Sequence, residues 1–337
     1  MLTIAIDAMG GDLGPHVAFK ACEKILTRNK HVRVLLFVEQ RWEEKARRAM
    51  ASSVRERLEV IGCGQSIAAD DRPKTILKRR HDSSMYQALQ AQKEGRCQGV
   101  LSVGSTGALM ALSRRILGVL PGIDRPALAT RIPTRNKPLL LLDLGASLSA
   151  SSRQLLQFAV LGAAWCRSMA VMNPKVGLLN VGHESGKGTE QIRQASELLG
   201  RYLPDCYAGF HEGDDLYRGE LDVMVCDGFT GNVALKTSEG LTEWLIWLWR
   251  QEFKSNWFLL LLAPIWKRIM TRMYRRIAPA RHGGAMLLGV DGVVVKTHGK
   301  SDASTYEHAL LYLVERVSNY DRQALIDFID PVRKGIA

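Results

Sequence analysis

At 337 residues, 46% hydrophobic and 24% charged, the chain is long enough to bury a large core, and its balance excludes a disordered or fibrous polypeptide. A formal charge of +12 favours an acidic partner. The six cysteines (Cys22, Cys63, Cys97, Cys166, Cys206, Cys226) lack CxxC spacing, which argues against a zinc centre or disulfide framework and for reduced, cytoplasmic thiols.

The chain enters its first apolar strand directly, without the basic flank and long apolar core of a secretory signal. That strand, Ile4-Ala5-Ile6, ends at Asp7 and turns through Gly10, Gly11 and Asp12 into a helix over residues 17–26. Residues 31–38 read as a strand, 42–50 as a helix and 58–61 as a short strand, the βαβ rhythm of a doubly wound sheet. Residues 68–84 have the composition of a charged loop and helix entry, followed by a helix over 85–94. A second run from Val100 ends in Ser102, Gly104, Ser105, Thr106 and Gly107, and a third, Leu139 to Leu142, ends in Asp143, Gly145 and Ala146 ahead of a helix over 154–169. The fourth, from Val176, ends in Asn180 and leads through Lys187 and Gly188 to a helix over 190–202. The fifth, Val223 to Cys226, ends in Asp227, Gly228, Thr230, Gly231 and Asn232, with a helix over 233–241.

Five aliphatic runs thus end in glycine and small polar residues. A continuous apolar run marks a buried parallel strand, whose carboxyl end is where open α/β sheets place ligands. Glycine admits close backbone approach, and free N–H groups at helix starts attract anions. One convergent anion site is the expectation.

Residues 241–282 break the pattern. They hold Trp244, Trp247, Trp249, Trp257 and Trp266, and eight cations against Glu243 and Glu252, a surplus of six that is half the chain's net charge of +12. The apolar stretch containing Trp257, Phe258, Leu260, Leu261 and Trp266 is too short to span a bilayer, which takes about 20 residues. Its composition suits an amphipathic helical hairpin lying on anionic lipid, or a helical pair buried at a dimer interface; the two are compatible. A hairpin around Asp291-Gly292, a turn through His298 and Ser301, and a helix over 303–318 follow. The reading is one α/β domain, 1–337, with an inserted helical hairpin at 241–282.

Neither GxGxxG nor GxxxxGK[ST] is present, so nucleotide chemistry is not supported, and with no HExxH or metal-ligand histidine spacing neither a metal nor a cofactor is expected. Cys226 reads as a small core residue rather than a nucleophile. What remains is hydroxyls, amides, carboxylates and Lys187 around backbone donors, a set that binds an oxyanion and steadies developing negative charge. It suits a substrate that supplies its own nucleophile, as phosphate does.

At these residues the chain resembles the bacterial phosphate acyltransferases of phospholipid synthesis. The matching stretches are Ile6 to Asp12, Asp82-Ser83-Ser84-Met85, Gly104 to Leu109, Arg125-Pro126-Ala127, Leu142 to Ala146, Gly177 to Gly182, Lys187-Gly188, Cys226 to Lys236, and Gly283-Gly284 through Lys296 to His298-Gly299. They run in order along nearly the whole chain. Ser105 and Ser147 stand where the family carries asparagine, and His183-Glu184-Ser185 replaces a more acidic stretch. The resemblance implies a three-layer α/β/α Rossmann-like sandwich with a mostly parallel sheet, similar to phosphotransacetylases and isopropylmalate dehydrogenases. It also implies a cytoplasmic homodimer held peripherally at the inner face of the membrane, and acyl phosphate formed from acyl carrier protein thioester and orthophosphate for a downstream membrane acyltransferase. Acidic carrier protein, rather than nucleic acid, then accounts for the basic charge.

On that footing phosphate attacks the thioester directly. Lys187, Asn232, Asp227, Asp7 and His298 are the expected catalytic group. Lys187 and the turns at residues 104–107 and 228–232 contact phosphate and oxyanion, and Asp7, Asp12, Asp143 and Asp227 orient donors or accept from pantetheine. The rivals are a phosphotransacetylase-like enzyme on acyl-CoA and a membrane-associated scaffold of this fold without turnover, which the serines at 105 and 147 favour.

Overall fold

Apolar runs buried on both sides form an eleven-stranded sheet in the computed structural model, which describes residues 1–68, 71, 73–79, 81–255, 268, 271–273 and 284–336. The strands are β1 (Leu2–Asp7), β2 (Val32–Glu39), β3 (Leu58–Cys63), β4 (Gly99–Ser102), β5 (Ala127–Ile132), β6 (Leu139–Leu142), β7 (Val176–Leu179), β8 (Tyr207–His211), β9 (Val223–Val225), β10 (Ala285–Leu288) and β11 (Val293–Lys296). The helices are α1 (His16–Arg28), α2 (Gln40–Arg48), α3 (Ser52–Arg55), α4 (Pro73–Arg79), α5 (Ser84–Lys93), α6 (Thr106–Ile116), α7 (Ser152–Ser168), α8 (Glu190–Tyr202), α9 (Gly228–Ser255), α10 (Ala303–Ser318) and α11 (Arg322–Ile336).

The strands alternate between two cores. Val34, Leu36 and Val38 of β2 join the core that includes residues of α1, α7, α8 and α10, while Leu35 and Phe37 join the core on α5 and α6. A strand with helices on both faces buries every position, so it reads as an unbroken apolar run, and the α/β/α sandwich follows. Helix starts are fixed by side-chain caps: Ser151 and Gln154 form a capping box on α7, and Asp302 accepts from Thr305 N–H on α10.

The sheet order is β3-β2-β1-β4-β11-β10-β5-β6-β9-β7-β8. Pairing is parallel from β3 to β11 and again from β6 to β8, but β10 and β5 between them are antiparallel to their neighbours. The two parallel blocks therefore run in opposite directions, a feature that apolar runs cannot reveal. Register decides where their carboxyl ends fall. Lys296, the last residue of β11, pairs with Ser102, the last of β4, and with Ala285. One row away Met286 pairs with Ala129, Ala129 with Leu142, Leu142 with Val225, and Val225 with Leu178. The glycine-ended strands of both blocks thus finish along one line across the sheet, head to head.

β5 and β8 escape the run pattern because Thr130 and Arg131 interrupt one and Gly209 the other. Helix α4 lies inside the stretch expected as charged loop, and β10 and β11 form the expected hairpin. Helix α9 continues unbroken through residue 241, where the sequence suggests one helix ends and an insert begins. Trp257, Phe258, Leu260, Leu261 and Trp266, the expected membrane contacts, lie outside the described residues. No helix among the described residues is long and apolar enough to cross a membrane.

Candidate functional site

In the first block the turns after β1, β4 and β11 interlock. Asp7 is buried, with Oδ1 accepting from Ser84 Oγ (2.6 Å) and Met9 N–H (3.2 Å) and Oδ2 from Ser102 Oγ (2.7 Å). Ser102 Oγ in turn accepts the Gly104 N–H at 3.1 Å. Gly10 has φ +93° and a Cβ there would meet Gly104 Cα at 2.9 Å, so only glycine lets these turns touch. Beyond it Asp12 N–H donates to Gly299 O at 2.9 Å, tying the β1 turn, with Gly11, to the β11 turn. Ser105 occupies the N-cap of α6 without a side-chain cap bond, and Gly107 sits exposed in its first turn. Burial pushes the Asp7 carboxyl above its ordinary value, partly offset by the bonds from Ser102, Ser84 and Met9. These contacts make Asp7 an orienting group for two hydroxyls and a turn.

In the second block the turn after β6 is organised by buried Asp143, which accepts from Leu128 N–H and Ala146 N–H (both 3.0 Å), Ser147 N–H (2.9 Å) and Ser147 Oγ (2.7 Å). Asp227 Oδ1 accepts Thr230 N–H at 2.8 Å in the first turn of α9. Gly228 and Gly231 let that turn press on the β6 turn, and Gly145 lies against Asn232. The Cys226 thiol donates to Leu142 O at 3.1 Å and is pushed well up by burial and by the charge of Asp143, so it is not a nucleophile.

The β7 turn forms a third group. Buried Asn180 donates from Nδ2 to Gly182 O and Lys187 O (both 3.2 Å), with Gly188 packed against its amide, and this pins the loop that carries exposed Lys187. Nearby, His183, His211 and Asp215 have donor atoms within 4.8 Å of one another. Asp215 is already shared between His211 Nδ1 (3.0 Å), Glu212 N–H (3.0 Å) and Arg218 (3.0 Å), so a metal ion would compete with a guanidinium already in place.

Between the blocks, on the line of strand ends, lies a cavity of about 650 Å³ roofed by α9. Of the residues expected from the sequence, Thr106, Asn232, His298 and Ser301 line it; Lys187 and the buried carboxylates do not. Lys236, Lys296, Lys300, Arg131 and Arg250 also line it, against Glu239 and Glu243. Leu128, Ile132, Leu235, Ile246 and Trp247 supply an apolar wall. Lys236 pairs with Glu239 at 2.6 Å. Lys296 Nζ donates to Thr297 O at 2.9 Å and has no carboxylate partner among the described residues. The lysines were missed because a lysine closing an apolar run reads as a strand terminator, and one on a helix as solvated surface. The signal for Lys296 was its place at the carboxyl end of Val293-Val294-Val295, where ligands bind; for Lys236 it was the one-turn spacing from Asn232.

Burial, then repulsion from Lys236, lowers the Lys296 amine from 10.5 to about 8. The folded protein therefore carries the cost of a buried ammonium below pH 8. The unfolded chain binds this proton more tightly, so the contribution to stability rises with pH between about 8 and 10.5, by about 3 kcal/mol in all. Lys296→Met is expected to raise unfolding free energy at pH 7 by about 2 kcal/mol and to remove that alkaline rise. Urea unfolding at pH 7 to 10 measures both; a variant less stable at pH 7 contradicts the burial cost.

The model of the family described as fatty acid synthesis protein matches residues 2–320. The phosphate acyltransferase of Pseudomonas aeruginosa is 42% identical over 307 residues, 91% of each chain, and that of Shewanella pealeana 38% over 333 residues, 98% of this chain and 97% of the relative. Among solved structures, a phosphotransacetylase from Streptococcus pyogenes superposes with a TM-score of 0.65 at 14% identity over 94% of each chain. One from Staphylococcus aureus gives 0.61 at 13% identity, covering 95% of this chain and 94% of its own. At that identity the structures speak to the fold alone: the Rossmann-like α/β/α sandwich expected from the sequence. With the sequence matches covering nearly its full length, the chain belongs to the fatty acid synthesis protein family, the family of the bacterial phosphate acyltransferases.

Proposed function

We propose that this acyltransferase forms acyl phosphate from long-chain acyl carrier protein thioester and orthophosphate, an early step of phosphatidic acid and phospholipid synthesis. The observation that carries the reading is the cavity at the strand ends, cationic around Lys236, Lys296 and Lys300 and apolar along Leu235, Ile246 and Trp247. A phosphate dianion suits one end and an acyl chain the other. Hydrogenphosphate oxygen adds to the thioester carbon, the carbonyl π pair moves to oxygen, and collapse breaks C–S. The phosphate proton ends on the leaving sulfur, so the products are acyl phosphate and a thiol. Lys236 and Lys296 hold the phosphate beside Asn232 and Thr106, while Asp7 and Asp227 orient the turns.

The test is to incubate the protein with palmitoyl carrier protein and labelled phosphate and look for acid-labile acyl phosphate. Comparison with palmitoyl-CoA decides the donor, and a protein that turns over neither is a scaffold. The carrier protein is acidic, and the chain's charge of +12 would steer it. Exposed Lys187, on the β7 loop, is assigned to anion capture. Lys187→Ala is expected to raise phosphate KM about tenfold, the worth of one charge-assisted hydrogen bond; a folded variant with unchanged KM removes that role.

Beyond Gly231, none of α9 as far as Arg250 is buried, and Leu241, Trp244 and Trp247 are each 54% exposed. That exposed apolar helix includes the first residues of the 241–282 segment and supports a homodimer at the cytoplasmic face of the membrane, where product passes to a membrane acyltransferase.

A further inference from the structure

The imidazole of His298 lines the cavity at the turn after β11. Its Nδ1 lies 3.1 Å from the backbone nitrogen of Lys300. An amide N–H can only donate, so Nδ1 is the acceptor and the ring proton sits on Nε2. Nε2 has no protein partner among the described residues. The ring faces Lys236 and Glu239 from α9 and Lys296 and Lys300 from its own strand and turn, with Asp12 of the β1 turn beside Gly299. Partial burial first, then the charges of Lys236, Lys296 and Lys300, which outweigh the opposing Glu239, lower the ring's tendency to protonate. The site therefore holds a neutral donor whose hydrogen-bonded turn fixes its direction, beside the lysines assigned to phosphate.

Resting on the acyl phosphate reading, we infer that His298 is a catalytic residue that donates its Nε2–H to the thioester carbonyl oxygen as a neutral imidazole. As the phosphate oxygen bonds to the carbonyl carbon, the π pair collects on the oxygen facing Nε2. When C=O re-forms, the C–S pair departs with sulfur, which receives the phosphate proton. His298 ends each turnover with the proton it began with. A general base would instead accept the phosphate proton at a bare nitrogen, and the only bare nitrogen, Nδ1, is occupied by Lys300.

The two roles separate in His298→Gln and His298→Ala, assayed as the full chain with palmitoyl carrier protein and phosphate. Glutamine carries an amide N–H donor on a side chain of similar reach but no titratable base. Loss of the donor in His298→Ala is expected to lower kcat about 100-fold with phosphate KM within about threefold, and His298→Gln to recover about tenfold of the loss. Circular dichroism and the unfolding midpoint confirm that both variants fold. A folded His298→Ala that keeps kcat within threefold, or a His298→Gln no better than alanine, overturns the donor role while wild-type turnover leaves the functional reading standing. A wild-type protein that makes no acyl phosphate takes down the reading and the inference together.

Discussion

Gly231→Ala is expected to cut acyl phosphate formation about 100-fold while leaving a folded protein. A Cβ at residue 231 would overlap the carbonyl oxygen of Asp143 and come within 2.8 Å of Cys226 Sγ. Neither neighbour can give: one is backbone in a turn held by four hydrogen bonds, the other a thiol buried in the core. The first turn of α9 has to lift away instead, and with it Asn232 and Lys236. A displacement of about 1 Å is enough for a loss of that size, because the reacting groups must meet in a narrow geometry. Overpacking costs about 1–3 kcal/mol of stability besides. Gly240 on the same helix is the control. A Cβ there meets nothing within 4 Å, so Gly240→Ala is expected to preserve turnover and to stabilise the helix by up to about 1 kcal/mol. Equal activity in the two variants would detach α9 from the chemistry.

Asp143→Ala is expected to lower unfolding free energy by about 3–5 kcal/mol, a fall in midpoint of roughly 4–7 °C. It strips the acceptor from Leu128, Ala146 and Ser147 N–H and from the Ser147 hydroxyl, and each buried donor left alone costs about 1–3 kcal/mol, less what is regained by not burying a carboxylate. Asp143→Asn is milder, since one oxygen still accepts. The pH response separates charge from hydrogen bonding. Burial raises this carboxyl above its ordinary 3.8, so its contribution to stability is complete below 3.8 and is lost as pH rises through the folded value. Asparagine removes that limb, and the gap between wild type and Asp143→Asn narrows as pH rises. Urea unfolding at pH 4 and pH 7 reads it; a gap that widens contradicts the burial of an ionising group.

The strands that carry the chemistry were legible because double burial leaves no polar position: Leu139 to Leu142 and Val223 to Val225 could only be core. Strand direction was not legible. Apolar runs say nothing about which way a chain crosses a sheet, so one cradle of five turns was expected where there are two interlocked scaffolds and a loop beside a cavity. The carboxylates Asp7, Asp143 and Asp227 were found by type and position, and their contacts give them orienting work. The cavity cations were harder. Lys296 owes its lowered basicity first to burial and then to Lys236, sixty residues earlier on another element, and only tertiary packing brings those about.

The order β4-β11-β10-β5 also constrains how the molecule is made. The last two strands of the sheet to be synthesised occupy its middle, so β4 and β5 are each left with an open edge until residue 296 has left the ribosome. At the usual pace of translation that interval is roughly 8–30 s. The nascent chain is then two half-sheets with unpaired backbone on facing sides, and closure, chaperone need and vulnerability to C-terminal truncation all turn on one twelve-residue hairpin, 285–296.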